Sequence, residues 1–261
     1  MVNTGDKRVK VSVITPCFNS AKYIAATIQS VQSQSMKDWQ MIVVDDCSTD
    51  NTLEIVQSFA DKDPRIIVIR SQENKGAGAA RTAALEYATG RYIAYLDADD
   101  IWKPDKLEKQ TRFMEEHQYA FSCTSYEVID DNGNRLNKTV TMLPVVDYIG
   151  FLTNNLLQTV GIMVDTTIVP RELLRMPDIR RRQDAATWLN ILKNGYSCYG
   201  MTEVLAEYRR ANNSLSSNKF SAVKGTWKLY REIEGLSLPF SCYCFCRYAV
   251  LAVWKRIYLH G

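Results

Sequence analysis

Four short apolar runs in the first hundred residues constrain this chain more than any other feature. Each ends abruptly in polar residues or a turn, and the first three are followed by helical spacing. Val11 to Pro16, Trp39 to Val44, Arg65 to Ile69 and Tyr92 to Leu96 read as strands buried on both faces, because their apolar residues run on without alternating. Ala21 to Gln34 carries Tyr23, Ile24, Ile28 and Val31 at helical spacing, and Leu53 to Phe59 carries Ile55, Val56 and Phe59. A third helix opens at Asn74-Lys-Gly-Ala-Gly-Ala-Ala-Arg81 and is stopped by Gly90. Three strand-then-helix units in succession predict a mostly parallel sheet with helices on its faces. Ligands of such sheets bind beyond the carboxyl ends of the strands. Phe18, Asp45, Asp46, Asn74, Asp97 and Asp99 all follow strand ends, which places a stacking ring and several acids around one crevice.

The fourth run ends in Asp97-Ala-Asp-Asp100. Alternation along a strand lets Asp97 and Asp99 point the same way. Their mutual repulsion invites a cation, and hard oxygen ligands suit Mg²⁺ or Mn²⁺ bridged to substrate phosphates. The competing reading is a solvated Asp-rich turn.

The second half is less regular. Tyr119 to Ile129 and Gly161 to Val169 suggest strands, and Asp131-Asn-Gly133 suggests a hairpin turn. Val145 to Leu157 suggests a short helix. Arg180-Arg-Arg-Gln-Asp184 reads as a loop running into a helix that Gly195 ends, and Tyr208 to Asn218 as a polar loop. Asp184 has two readings: a first-turn acid favoured by the helix dipole, or a general base beside a cationic patch.

Other chemistries are poorly supplied. The Gly76-Ala-Gly-Ala-Ala-Arg81 segment follows the third strand and lacks the last glycine of a dinucleotide fingerprint, and no P-loop is present. Two histidines, His117 and His260, and no Gly-x-Ser-x-Gly elbow argue against a serine triad. Seven cysteines without a Cys-x-x-Cys pair argue for reduced thiols over a disulfide scaffold or structural zinc. The Cys242-Tyr-Cys-Phe-Cys246 run suits packing or membrane contact better than a metal. A net charge of +3 does not suggest nucleic acid as a partner.

Val11-Ser-Val-Ile-Thr-Pro-Cys-Phe-Asn19, Val43-Val-Asp-Asp-Cys-Ser-Thr-Asp50, Asn74-Lys-Gly-Ala-Gly-Ala-Ala-Arg81 and Tyr95-Leu-Asp-Ala-Asp-Asp100 resemble, in order and spacing, the motifs of family 2 glycosyltransferases. The resemblance covers about residues 9–218 and is to bacterial enzymes of O-antigen, capsule or teichuronic-type polysaccharide synthesis. It implies the GT-A fold: a Rossmann-like, mostly parallel central sheet with helices on both faces, here with a helical C-terminal tail. It implies a glycosyltransferase domain over residues 1–219, with a nucleotide-binding half (9–104) and an acceptor half (105–219), and a separate basic, apolar segment over 220–261.

By position, the resemblance implies that Pro16 and Phe18 line the nucleobase pocket and that Asp46, supported by Asp45, accepts from the uracil imide. Asn74 and Arg81 would join the nucleotide-sugar site. Asp97 would meet the ribose or the metal shell, and Asp99 would hold Mn²⁺ or Mg²⁺ against the diphosphate. Asp184 would be the catalytic base, and Arg209, Arg210 and Ser214 would lie in a loop closing over the diphosphate. Three departures stand out: Gln183 replaces the usual Glu, Ala211 a frequent His, and Thr82 a common Asn. The implied reaction is inverting transfer of a hexose, galactose or glucose, from a UDP-sugar to a lipid-linked acceptor, undecaprenyl-diphosphate GlcNAc or GalNAc. The alternatives are a non-catalytic nucleotide-sugar-binding component of an assembly complex and a sugar nucleotidyltransferase. The latter lacks its Gly-rich basic loop after the first strand, where Cys17-Phe-Asn-Ser20 stands.

Leu236 to Leu259 is apolar and aromatic but interrupted by Arg247, so no piece reaches the ~20 residues of a spanning helix. With Lys219, Lys224, Lys228, Arg231, Lys255 and Arg256 it suits the surface of an anionic membrane, and docking on the domain is the other reading. The expected location is cytoplasmic, peripheral on the inner face of the cell membrane, consistent with the absence of an apolar signal segment before Val11.

Overall fold

The computed structural model describes residues 9–179, 181–210 and 219–258, and for 219–222 and 252–258 it describes the backbone alone. The first half alternates as expected: β1 (Val11–Cys17), α1 (Ile24–Gln32), β2 (Trp39–Asp45), α2 (Thr52–Ala60), β3 (Ile66–Arg70), α3 (Ala77–Leu85) and β4 (Tyr92–Tyr95). β1, β2 and β4 are buried along their whole lengths, which is why their sequences do not alternate.

These strands lie side by side in the order β3-β2-β1-β4, all parallel. The chain steps outward from β1 to β2 to β3, then returns through α3 to the far side of β1. Right-handed crossovers in opposite directions put helices on opposite faces. α1 and α2 pack on each other, whereas α3 packs against β1 and β2. The reversal leaves a crevice between the carboxyl ends of β1 and β4, where an open sheet of this type takes its ligand.

The second half extends the same sheet with mixed pairing. After β5 (Ile101–Trp102) and α4 (Lys106–His117) come β6 (Phe121–Ile129), β7 (Arg135–Val140), β8 (Val145–Val146) and α5 (Tyr148–Thr153). β9 (Ile162–Asp165), α6 (Gln183–Lys193) and β10 (Cys198–Arg209) follow. β9 sits between β4 and β6 and is antiparallel to both, β10 runs parallel to β6, and the short β5 closes the order against β10. The two halves are therefore interleaved in one sheet: β5, from the first, pairs with β10, near the end of the second.

β10 corrects the sequence reading, which has no strand before Tyr208 and begins a polar loop there. Its pairing with β6 is broken by shifts between Met201 and Val204 and between Val204 and Ala206. Bulges remove the regular alternation a sequence reading depends on.

The C-terminal segment packs on the domain. α7 (Lys219–Lys228) runs into a π-helical stretch, Leu229–Ile233, and α8 (Leu238–Tyr258) follows. Leu229 and Tyr230 are buried, the Tyr230 hydroxyl donates to the Leu152 carbonyl, and the Tyr148 hydroxyl donates to Glu234 at 2.6 Å. Cys244 faces inward while Cys242 and Cys246 face out, and all seven cysteines are free thiols. Among the described residues no helix is long and apolar enough to cross a membrane.

Candidate active site

At the crevice between β1 and β4 lies a cleft of ≈ 590 Å³. The loop after β1 forms its first wall. Asn19 adopts a left-handed conformation, φ 48°, its backbone N–H donates to the Ser48 hydroxyl at 2.9 Å, and its side-chain oxygen accepts from the Thr49 N–H at 2.8 Å. This ties the loop to the one after β2 and turns Phe18 outward, 48% exposed at the end of a buried strand. Pro16, Phe18, Ser20 and Tyr23 line this wall. Tyr23 is fixed from behind, because its hydroxyl donates to Asp131 of the β6–β7 hairpin and the Arg209 guanidinium stacks 4.9 Å from its ring centre.

The acidic turn after β4 forms the floor. Asp97, Ala98 and Asp99 line the cleft, whereas Asp100 points away and is 1% exposed. Asp97 pairs with Arg81, which is itself buried on α3. Burial opposes the Arg81 charge, but Asp97 and then Asp184 hold the guanidinium above the ordinary arginine range. Burial, with the charge of Asp97 added, pushes the Asp99 carboxyl up to about 6, although Arg209 and Arg81 pull the other way. Burial, then Asp99 and Asp97, also drive Asp100 well upward, although Asp100 accepts from the Arg209 N–H at 2.8 Å.

Those carboxylates fit a divalent cation. The turn gathers three carboxyl groups, and burial and then the charge of Asp97 raise Asp99 above the ordinary carboxylate range, a cost that a bound cation would relieve. Among the described residues no group of three or more His, Cys, Asp or Glu side chains could hold a metal. An ion here would therefore depend on one or two carboxylates plus substrate oxygens, which is the habit of Mg²⁺ and Mn²⁺ at phosphate sites.

The far wall belongs to α6 and its approach. Arg181, Arg182, Gln183 and Asp184 all line the cleft. Arg182 takes a left-handed conformation, φ 64°, at the N-terminal end of α6, and this turns the chain so that Asp184 lies in the first helical turn. α3 comes close enough that a Cβ on Gly78 would meet the Gln183 Cγ at 2.9 Å. Asn155 and Gln158, after α5, and Gly225 of α7 complete the wall. Tyr23, Asn155, Gln158 and Gly225 were not legible as site residues, since nothing in their spacing separates them from helix or loop positions.

Several expected residues sit elsewhere. Asp45 is fully buried and accepts from the Ser48 N–H at 3.3 Å. The Asp46 carboxylate accepts from the Lys75 and Gly76 N–H groups at 3.0 and 2.7 Å, and the Asn74 side chain donates to the Asp46 carbonyl at 3.0 Å. These three knit the loop after β2 to the start of α3, where Gly76 takes φ 87°, and none lines the cleft. Arg209 corrects the loop expectation: it ends β10, is 6% exposed, and donates to the Asp99 carbonyl at 2.7 Å and the Asp130 carbonyl at 2.9 Å. Its guanidinium is engaged in holding the acidic turn. Arg210 is exposed just beyond, and Ser214 lies outside the described residues.

Comparison with known proteins places the fold and the family. The family model described as Glycosyl transferase family 2 matches residues 12–174. The chain is 49% identical, over 95% of its length and 97% of the relative's, to TuaG of Bacillus subtilis (strain 168), whose name assigns it provisionally to teichuronic acid biosynthesis as a glycosyltransferase. It is 35% identical, over 95% of each chain, to an Escherichia coli protein named UDP-Glc:alpha-D-GlcNAc-diphosphoundecaprenol beta-1,3-glucosyltransferase WfgD. Among solved structures, S. aureus TarS 1–349 in complex with UDP-GlcNAc superposes with a TM-score of 0.71 at 20% identity, covering 95% of this chain and 73% of that one. The mannosyltransferase PcManGT from Pyrobaculum calidifontis, in complex with GDP-Man and Mn²⁺, superposes with a TM-score of 0.69 at 18% identity, covering 96% and 76%. At such identities the structures speak to the fold, which is GT-A. The sequence relatives and the family model, which spans more than half the chain, speak to descent: the chain belongs to glycosyl transferase family 2.

Proposed function

We propose that this chain is an inverting, metal-dependent hexosyltransferase of bacterial surface polysaccharide synthesis. It moves glucose or galactose from a UDP-sugar to GlcNAc or GalNAc carried on undecaprenyl diphosphate. The observation that carries the reading is that the Asp97/Asp99 turn and Asp184 line one cleft, with Arg81 feeling the charge of both Asp97 and Asp184. The printed names of two Escherichia coli relatives, with UDP-Glc as donor and GlcNAc-diphosphoundecaprenol as acceptor, support these classes, and the name of TuaG supports the polysaccharide setting.

In this reading Phe18 and Pro16 take the nucleobase, with Asp45, Asp46 and Asn74 shaping the loops behind it. Arg81 orients Asp97 towards the ribose side. Asp99, with Asp97 beside it, would hold a Mn²⁺ or Mg²⁺ ion, which when bound supplies positive charge to the donor diphosphate. Asn155 and Gln158 offer polar side chains to the acceptor sugar. Asp184 takes the proton from an acceptor hydroxyl as that oxygen bonds to the anomeric carbon. The bond from the anomeric carbon to the donor phosphate oxygen breaks on the opposite face, and UDP leaves with the electron pair. A single displacement inverts the centre, so an α-linked donor gives a β-linked product. Arg210 and Ser214 belong, in this reading, to the segment that covers the diphosphate.

On α8 Leu238, Tyr243 and Val250 are exposed, Tyr243 and Val250 two turns apart on one face, and these apolar side chains support a peripheral position on the inner face of the cell membrane, where such an acceptor resides. The test is incubation of the purified chain with UDP-glucose or UDP-galactose and a synthetic GlcNAc- or GalNAc-diphosphate-lipid, with the product linkage read by NMR. A β-linked disaccharide is expected. An α-linked product would sink the inverting scheme, and UDP binding without turnover across the panel would favour the non-catalytic binding component.

A further inference from the structure

Beside the cleft, on the Asp184 side, runs a second groove of ≈ 450 Å³ between α7 and the segment holding Asp178, Ile179 and Arg181. Arg181 and Gly225 line both cavities, so the groove continues the cleft. The two elements meet closely, since a Cβ on Gly225 would rest 3.7 Å from the Arg182 Cγ and 3.9 Å from the Arg181 Cβ. Its lining is of two kinds. Among the described residues, Arg181, Lys224 and Lys228 supply three positive charges against one carboxylate, Asp178, while Ile179, Leu229 and Ile233 supply an apolar strip. Lys228 pairs with Glu232 at 3.5 Å, but both side chains are more than half exposed, so that pair is weak.

We infer that this groove is the seat of the acceptor's isoprenoid diphosphate, with Arg181, Lys224 and Lys228 on the diphosphate and Ile179, Leu229 and Ile233 on the first isoprene units. The assignment rests on the acceptor class proposed above. Two features select this occupant. The donor's diphosphate belongs at the acidic turn, none of whose residues reaches the groove. Inorganic phosphate would leave the apolar strip unused, whereas a lipid diphosphate uses both linings. The groove's volume is within the range of pockets that enclose small ligands.

The probe is farnesyl diphosphate, which carries no sugar and so binds without any transfer. Calorimetry is done on the full chain saturated with UDP and Mg²⁺, to keep the probe from the donor site. The double variant Lys224→Glu/Lys228→Glu, altered only at exposed positions, should bind it at least about tenfold more weakly, with UDP affinity and melting temperature unchanged. Lys224→Arg/Lys228→Arg should restore binding. Equal binding by wild type and the Glu variant overturns the assignment, as does inorganic diphosphate binding as tightly as farnesyl diphosphate. Failure of the wider reading shows differently: no hexose would pass from any UDP-hexose to a saccharide on a lipid diphosphate although the probe still discriminates the variants.

Discussion

Asp184 occupies the first turn of α6, where helix-dipole and cationic neighbours would hold any carboxylate, so its place in the helix does not by itself make it a base. What supports the proposed base is that it shares one cleft with Asp97 and Asp99. Asp184→Asn keeps the shape and removes the proton acceptor. Turnover should fall by ~10²–10⁴-fold while UDP affinity, read by calorimetry, stays within about twofold. The acidic turn gives a second expectation. Chelation with EDTA should abolish transfer and added Mn²⁺ or Mg²⁺ restore it, and Asp99→Asn should raise the metal concentration needed for half-maximal rate. Unchanged activity in chelated buffer would remove the ion from the scheme. Asp97, Asp99 and Asp184 could be singled out in the sequence because each follows a recognisable strand end or helix start. The inward turn of Asp45, Asp46 and Arg209 could not. Their partners are supplied by segments up to 110 residues away, and spacing carries no record of such contacts.

Elements in this fold are held at distances that tolerate little added volume. Gly78→Val would drive a branched side chain into the Gln183 stem and displace the turn that carries Asp184. Misplacing a reacting group by ~1 Å costs on the order of 10²-fold, so the variant should keep UDP binding and lose kcat. A different joint ties α1 and α2 to β3. The Asp63 carboxylate accepts from the Arg65 side chain and N–H and from Gln32, and these bonds, the Arg65 side chain foremost, lower it from 3.8 to about 2. Its folded value is depressed, so the stability it contributes is complete above about pH 4 and is lost as pH falls through about 2. Asp63→Asn should cost about 1–2 kcal/mol at neutral pH by chemical denaturation, and the gap to wild type should close near pH 2. The first seven elements were legible because their buried faces are apolar. α4 was not, since much of its buried face is Lys106, Gln110 and Thr111, and helical spacing of apolar residues is the signal a sequence reading uses.

At the scale of the molecule, the C-terminal segment docks on the domain, one of the two readings its sequence left open, and keeps an outer face on which the other can be tested. Tyr230, Ser241 and Cys244 are buried against the domain, while Leu238, Tyr243 and Val250 face outward. Deleting the segment would uncover α5, so a cleaner test alters the outer face alone. Tyr243→Glu/Val250→Glu should leave the melting temperature and UDP binding unchanged and move the protein from pelleted anionic vesicles to the supernatant. Retention in the pellet would assign membrane contact to another surface.

The interleaved sheet also sets a timetable for the ribosome. The acidic turn is translated within the first hundred residues, yet its Asp100 carboxylate waits for the backbone N–H of Arg209, 109 residues later. At ~5–20 residues per second that delay is roughly 5–20 seconds. Throughout it, the emerging chain has its first four strands but not the completed β10 that locks the turn, and for most of it α6, which carries Asp184, is also still to be made. The acidic turn therefore gains its last backbone partner only as β10 is laid against β5 and β6.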